Sequence, residues 1–424
     1  MTRQSIEAAL LACWRRSDEI FALVPEEAWL ERPIGLRHPI LFYVGHLPAF
    51  AWNQIGRGAL DAGHLDRKLD LFFAQGIDPD SSERAAEQSL HSWPSRADTL
   101  AYRDRARAAV LERLEELLSR PDDPLRENGR VAWLVIEHEL MHHETLLYMF
   151  AECAPGLIQR PRALPGPTGG EGRVGEPRRI PQGEAVVGAA WSEIPFGWDN
   201  EFGRQAVQVE AFTLDSLPVR NLDWLRFFEA QGSPADLWPV AWLRDGRGAL
   251  SVKGVFGPTP FEIAAGWPVQ VSGVQARAYC ASRGGRLPTE AELHRAAYAT
   301  PDGEQRPYPW GDAAPTPERG NFGFRQWAPA PVGQAPGGAS AWGVEELLGN
   351  GWEWTASPFA PLPGFTAWAR TYPGYSADFF DDAHDVVFGA SWATDDQLLR
   401  RSFRNWYRRD YPFAFTSFRV ADGR

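Results

Sequence analysis

The chain has 424 residues, of which 44% are hydrophobic and 23% charged, a length and composition that suit a globular protein of two or three domains and exclude a disordered chain. A formal net charge of −12 opposes the phosphate attraction on which nucleic-acid binders rely, so nucleic acid is excluded as a partner. Cys13, Cys153 and Cys280 are odd in number, far apart and without CxxC spacing, which leaves neither a disulfide framework nor a zinc–thiolate site.

The opening residues, MTRQSIEAALLACWRRSDEIFALV, interrupt their apolar positions with charges at helical spacing. This predicts an amphipathic helix and no signal peptide or membrane anchor, hence a cytoplasmic location and no membrane partner. Four stretches with apolar residues at i, i+3 and i+4, at residues 2–24, 38–60, 95–119 and 129–152, predict a four-helix bundle over 1–153, an architecture that assembles metal sites from facing helices. The connection over residues 61–94 is long enough to predict a lid or substrate loop.

The fourth stretch contains His138-Glu139-Leu140-Met141-His142-His143-Glu144. Histidines at i and i+4 share one helix face and can meet one ion. His46, in LRHPILFYVGHLPAF, sits mid-helix among apolar residues and is the expected third ligand. A core histidine bonded to a backbone carbonyl is the alternative reading of it, and His38, two turns earlier, competes for the ligand role. His143 points about 100° away from His142. Glu144 lies off the metal face and is expected to orient an imidazole. The same run also satisfies the HExxH pattern of zinc hydrolases, with Glu139 as general base. Three imidazoles suit iron, copper or zinc equally by ligand type.

Residues 154–183 are dense in Pro, Gly and Arg and lack periodicity, which predicts a linker. Over 184–424 the texture changes to short apolar stretches and Gly/Pro/Trp turns, with VSGVQARAYCASRG and PTEAELHRAAYA as two short helices flanking the turn GGRLPT. The nineteen tryptophans of the chain supply stacking surfaces and cation-binding faces as well as core volume. The chain as a whole reads as α+β.

The HxxxHxE pattern at His138, His142 and Glu144, the earlier His46, and the later motifs GGRLPTEAE, YPWGD, GNGWEWT, VFGASW, RRSFRNW and TSFRVA resemble the sulfoxide synthases of ergothioneine biosynthesis. In that family a DinB-like four-helix bundle is joined to a domain of the formylglycine-generating-enzyme type, a variant of the C-type lectin fold. The resemblance implies Fe(II) held by His46, His138 and His142, and an O2-dependent enzyme acting on hercynine, the trimethylated betaine of histidine. It also implies substrate contacts from the 184–424 domain, with Asn405 and Trp406 at the trimethylammonium group, and a proton-donating tyrosine, for which Tyr372 and Tyr375 are the candidates. Formylglycine generation itself is excluded, because it uses a C-terminal cysteine pair and no cysteine follows Cys280.

Family members that take γ-glutamylcysteine carry an acidic residue after RNW. Here Tyr407, Arg408 and Arg409 follow, which removes the partner of a donor ammonium and offers hydrogen-bond donors for a carboxylate or hydroxyls. GIDPD and GNGWEWT resemble selenoneine synthases, which join a selenosugar to hercynine, and LRHPILFYVGHLPAF resembles ovothiol synthases. The resemblance thus implies formation of a carbon–selenium or carbon–sulfur bond at the imidazole C2 of hercynine, with a selenosugar ranked ahead of a thiol donor. Ovothiol-type chemistry on histidine and cysteine, and a zinc hydrolase, are the alternatives.

Overall fold

A computed structural model describes residues 2–74, 93–119, 123–368, 372 and 374–422. The chain forms two compact units, Met1–Pro161 and Arg162–Arg424.

The first unit is helical: α1 (Arg3–Phe21), α2 (Ile40–Trp52), α3 (Arg67–Phe72), α4 (Arg96–Leu118) and α5 (Arg130–Ala151). The Thr2 hydroxyl opens α1 by accepting from the Ser5 amide in a capping box, and Ser95 opens α4 by accepting from Asp98, so donors that the helices leave unpaired are met. Ile6, Leu10, Cys13, Trp14, Ser17, Ile20 and Phe21 line the buried stripe of α1. Every residue of α2 is buried, as its all-round apolar sequence requires. After Trp52 the chain continues as a π-helical segment, Asn53–Ala59.

The long connection expected as a loop contains the short helix α3. Its cap is Asp66, which accepts from Lys68 and Leu69, and its anchor is the fully buried Asp70, which accepts from His64 Nδ1, Tyr102 Oη and the Leu65 amide. A buried carboxylate supplied with three donors is what makes so short a helix worthwhile. Residues 75–92, including the GIDPD stretch, lie outside the described residues.

Among the described residues, the second unit mixes short helices with thirteen short strands, β1 (Pro177–Ile180), β2 (Gly183–Val187), β3 (Gln205–Val209), β4 (Phe212–Asp215), β5 (Trp242–Arg244), β6 (Leu250–Val252), β7 (Thr259–Pro260), β8 (Gly285–Arg286), β9 (Trp352–Pro358), β10 (His384–Phe388), β11 (Asn405–Arg408), β12 (Thr416–Ser417) and β13 (Ala421–Asp422). Two four-stranded sheets run β1-β4-β13-β8 and β11-β10-β9-β12. The two expected helices form, over Gly273–Ser282 and Glu290–Tyr298, with β8 between them. Trp224, Trp267, Trp352, Trp354 and Phe418 fill the main core.

The linker expectation for 154–183 needs correction at its C-terminal end. β1 pairs with β4 from Pro177 onward, and before it the Trp267 indole donates to the Thr168 carbonyl, Arg220 to the Glu171 carbonyl and the Arg173 amide to the Val332 carbonyl. Before β1 the segment is satisfied by side chains and irregular backbone contacts and not by a periodic ladder, so its composition alone reads as unstructured.

Candidate metal centre

His46 on α2 meets His138 and His142 on α5 in the interior of the bundle, where all three are buried. Ring centroids lie 5.2 Å apart for His46–His138, 5.1 Å for His46–His142 and 4.5 Å for His138–His142, and one nitrogen of each lies within 4.8 Å of the other two. The Nε2 atoms of His138 and His142 are 3.2 Å apart. Two nitrogens bound to one first-row metal at about 2.1 Å stand about 3.0 Å apart at a right angle and about 3.4 Å apart at a tetrahedral one. The observed spacing falls between those limits.

The orientation of His46 is fixed from behind. Its Nδ1 lies 2.7 Å from the Phe73 carbonyl; a carbonyl can only accept, so Nδ1 carries the proton and Nε2 keeps its lone pair. That Nε2 is buried and has no hydrogen-bond partner, a state costly in a closed interior and natural for a metal ligand. Gly45 makes the approach possible, since a Cβ there would stand 2.3 Å from the Phe73 ring. His138 is stacked on Phe50 at 3.6 Å between centroids. His38 stacks on Phe42, which in turn stacks on His46, so a phenyl ring separates His38 from the three.

Burial holds the His46 imidazole down at about 4, with the Phe73 carbonyl pulling the other way and His38 adding to the depression. His138 and His142 are likewise held well below the ordinary histidine range, first by burial and then by the neighbouring imidazoles. All three are neutral near pH 7, the form that ligates a metal.

Glu139 and His143 occupy a different face of α5. The Glu139 carboxylate accepts from the Ser17 hydroxyl of α1 and lies 3.9 Å from the Arg107 guanidinium of α4, while His143 Nε2 lies 2.7 Å from Ser17 Oγ. The base required by the HExxH reading is therefore engaged by α1 and α4 instead of standing among the three imidazoles. His143, expected to point away from His142, does so, but into a fully buried position. Glu144 is buried.

In the second unit, Asn405, Trp406, Tyr407 and Arg408 form β11, paired antiparallel with β10 in the register Asn405↔Val387 to Arg408↔His384. Trp406 stacks on Phe359 at 4.1 Å and meets Tyr375 edge-on at 5.2 Å, and Tyr375 stacks on Trp198 at 4.0 Å. Tyr372 is half-buried, its carbonyl accepting from the Tyr375 amide. Of the two tyrosines, Tyr375 is the one packed into the aromatic group that includes Trp406. Tyr407 stacks on Tyr411. Arg409 donates to the buried Asp385 at 2.8 Å, and Arg408 pairs with exposed Asp410 at 3.2 Å. Sequence reasoning did not find Trp198, Phe359 or the buried group Asp199–Asn200–Ser376, in which the Ser376 hydroxyl donates to Asp199 and accepts from Asn200 Nδ2. Trp198 to Glu201 carry no periodicity in the sequence to mark them.

Residues 9–146 match the DinB superfamily and residues 167–423 the sulfatase-modifying factor enzyme 1-like domain. The chain is 35% identical to "Hercynine oxygenase" of Mycolicibacterium smegmatis over 83% of this chain and 87% of that protein. It is 29% identical to "Ergothioneine biosynthesis protein 1" of Neurospora crassa over 96% of this chain, and spans 56% of that longer protein. It is also 33% identical to "Formylglycine-generating enzyme" of Mycobacterium tuberculosis over 37% of this chain and 66% of that one. No described helix is long and apolar enough to cross a membrane. With a DinB-superfamily bundle joined to a sulfatase-modifying-factor domain and relatives of this kind along most of its length, the chain belongs to the ergothioneine synthase-like family.

Proposed function

We propose that the chain is an Fe(II)- and O2-dependent enzyme that forms a carbon–selenium or carbon–sulfur bond at the imidazole C2 of hercynine, with a selenosugar or a thiol as donor. The observation that carries this reading is the convergence of three buried neutral imidazoles around His46 Nε2, which has no other partner. The hydrolase alternative loses its general base to Ser17 and Arg107. The name of one relative, "Hercynine oxygenase", supports hercynine as the acceptor.

Iron held by His46, His138 and His142 would supply the activation of O2, three neutral ligands leaving it Lewis acidic and with open positions. The overall change balances: replacing the C2–H and the chalcogen–H by one carbon–chalcogen bond and adding one oxygen to the chalcogen releases four electrons. O2 accepts them, and its second atom leaves as water. The residues of the second unit are assigned the organic substrates. A trimethylammonium has no proton to donate, so its recognition falls to aromatic faces such as Trp406, and to the Asn405 amide. The phenol of Tyr375, packed between Trp198 and Trp406, is the proposed proton donor, with Tyr372 beside it. Tyr407, where a carboxylate would pair with the ammonium of γ-glutamylcysteine, favours the selenosugar over that thiol. Arg408 and Arg409 border this strand, and their pairing with Asp410 and Asp385 limits them to a supporting part.

The test is anaerobic loading with Fe(II), then exposure to O2 with hercynine and, separately, a selenosugar, cysteine or γ-glutamylcysteine, followed by mass spectrometry. A hercynine adduct that needs both Fe(II) and O2, and is lost in His138→Ala along with the iron, is the expected result. Turnover that persists without O2, or no adduct from a folded and iron-loaded chain with any donor, would overturn the reading.

A further inference from the structure

α5 carries two histidine-containing pairs one residue out of step. His138 and His142 face His46, and Glu139 and His143, each the next residue along, face Ser17 of α1. We infer that the Ser17 hydroxyl is a positioning group that sets the rotation and register of α5 and thereby the placing of the metal ligands, an inference that rests on the metal reading above.

Ser17 Oγ has three polar neighbours, the Glu139 carboxylate, His143 Nε2 at 2.7 Å and, farther off at 3.4 Å, the Cys13 carbonyl of its own helix. A hydroxyl has one proton. It goes to the Glu139 carboxylate, which can only accept, and the oxygen then accepts from His143 Nε2 at 2.7 Å. Ser17 is fully buried, so water does not compete for either bond. One atom thus grips two successive turns of α5. Glu139 and His143 lie one turn apart on the same face, so rotation of the helix or a slide along its axis would disturb both bonds, and both motions are opposed. Consecutive helical residues differ by about 100° in direction, so a turn of α5 that moves Glu139 off Ser17 moves His138 away from His46 by the same angle. Metal sites tolerate about 0.5 Å of misplacement.

Glu139 is itself held. Arg107 of α4 stands 3.9 Å from it and makes two bonds to Asp18 of α1, and the Arg107 guanidinium lies over the Trp14 ring. The clamp is therefore tied to α4 as well as to α1. Cys13, Glu139 and His143 have donor atoms within 4.8 Å of one another, which raises a second ion as the rival explanation of this cluster. Two features argue for the clamp. Ser17 Oγ already bonds both Glu139 and His143, and the neighbouring Arg107 supplies the positive charge that an ion would otherwise bring.

The experiment compares wild type with Ser17→Ala, Ser17→Thr and Ile6→Val, the last also buried on α1 and remote from the clamp. Co(II) and Fe(II) affinities are read by chelator competition, and the Co(II) visible spectrum reports ligand geometry. Ser17→Ala is expected to bind both metals about 10–100-fold more weakly, as loss of an orienting partner does, with a changed Co(II) spectrum. Ser17→Thr, which keeps the hydroxyl, should restore both readouts, and Ile6→Val should lower stability while leaving affinity and spectrum alone. If Ser17→Ala does not fold, His143→Leu removes the other arm of the same clamp and is read in the same way. Wild-type affinity and spectrum in folded Ser17→Ala would overturn the inference. So would a bound ion in the His46→Ala/His138→Ala/His142→Ala variant that is lost on adding Cys13→Ser, because the cluster would then be an ion site. A wild-type chain that binds neither metal removes the centre itself, and the clamp's role goes with it.

Discussion

Replacing Gly45 by alanine tests whether the metal centre depends on the contact behind His46. In a helix interior this change should stabilise by about 1 kcal/mol, since alanine restricts the unfolded chain more than glycine does. Here the new Cβ would stand 2.3–2.4 Å from three carbons of the Phe73 ring. That ring is fully buried, with Tyr102, Phe42 and Phe72 around it, so it has no open side to move into. Overpacking of this kind costs about 1–3 kcal/mol, and after the helical gain the net loss should be about 0–2 kcal/mol. The larger effect should fall on the metal. Displacing Phe73 moves the carbonyl that receives the His46 Nδ1 proton at 2.7 Å. Loss of such an orienting bond typically weakens metal binding about 10–100-fold. Thermal unfolding of the metal-free chain and chelator competition for Fe(II) measure the two effects separately. A variant with wild-type metal affinity would refute the reasoning, whatever its stability, because the Phe73 carbonyl would then not be setting the imidazole.

Two further outcomes follow from the second unit. Burial holds His294 at about 4, with Glu290 opposing the shift and Arg401 and Arg404 reinforcing it. The unfolded chain therefore takes up that proton first, and the contribution is fully present above about pH 6.5 and is lost as pH falls toward 4. Between pH 7.5 and 5 the loss should be about 2 kcal/mol, seen as a steeper fall in urea stability for wild type than for His294→Gln; parallel falls would refute it. Trp406→Ala should raise the KM for hercynine by about 2–30-fold, the worth of a cation–aromatic contact, with little effect on iron content. An unchanged KM would place the trimethylammonium elsewhere.

The helices were legible because their sequences carry the 3.6-residue period, and so was the placing of His138 and His142 on one helix face at i and i+4. The two readings of His46, a core histidine bonded to a carbonyl and a metal ligand, turn out to be compatible, because imidazole has two nitrogens. Nδ1 takes the Phe73 carbonyl and Nε2 faces the other histidines. No local pattern could have named Phe73, 27 residues away. α3 escaped notice because it is six residues long and depends on Tyr102 of another helix. Arg409, expected from its place after RNW as a substrate donor, is also bonded to Asp385, a pairing made by the β10–β11 register and invisible in sequence order.

That register points to how so irregular a unit keeps its shape. Its motifs are joined in pairs by Arg–carboxylate contacts that cross long stretches of chain. Arg404 of RRSFRNW bonds Glu290 of GGRLPTEAE through two contacts at 2.7 and 3.0 Å. Arg419 of TSFRVA bonds Glu353 of GNGWEWT, both fully buried, and Arg400 bonds Glu201 at 2.7 Å. Such pairs add little net stability over a well-packed apolar alternative, but removing one partner strands a buried charge at a cost of about 3–5 kcal/mol. Their effect is to make one pairing of loops acceptable and the others prohibitive. Arg404 directly precedes Asn405, so its pairing with Glu290 fixes the start of the strand that carries the proposed hercynine contacts. Short strands and turns without periodicity can present Asn405 and Trp406 at a defined place because the Arg404 guanidinium beside them is held by the Glu290 carboxylate and by the Asn200 and Ala360 carbonyls.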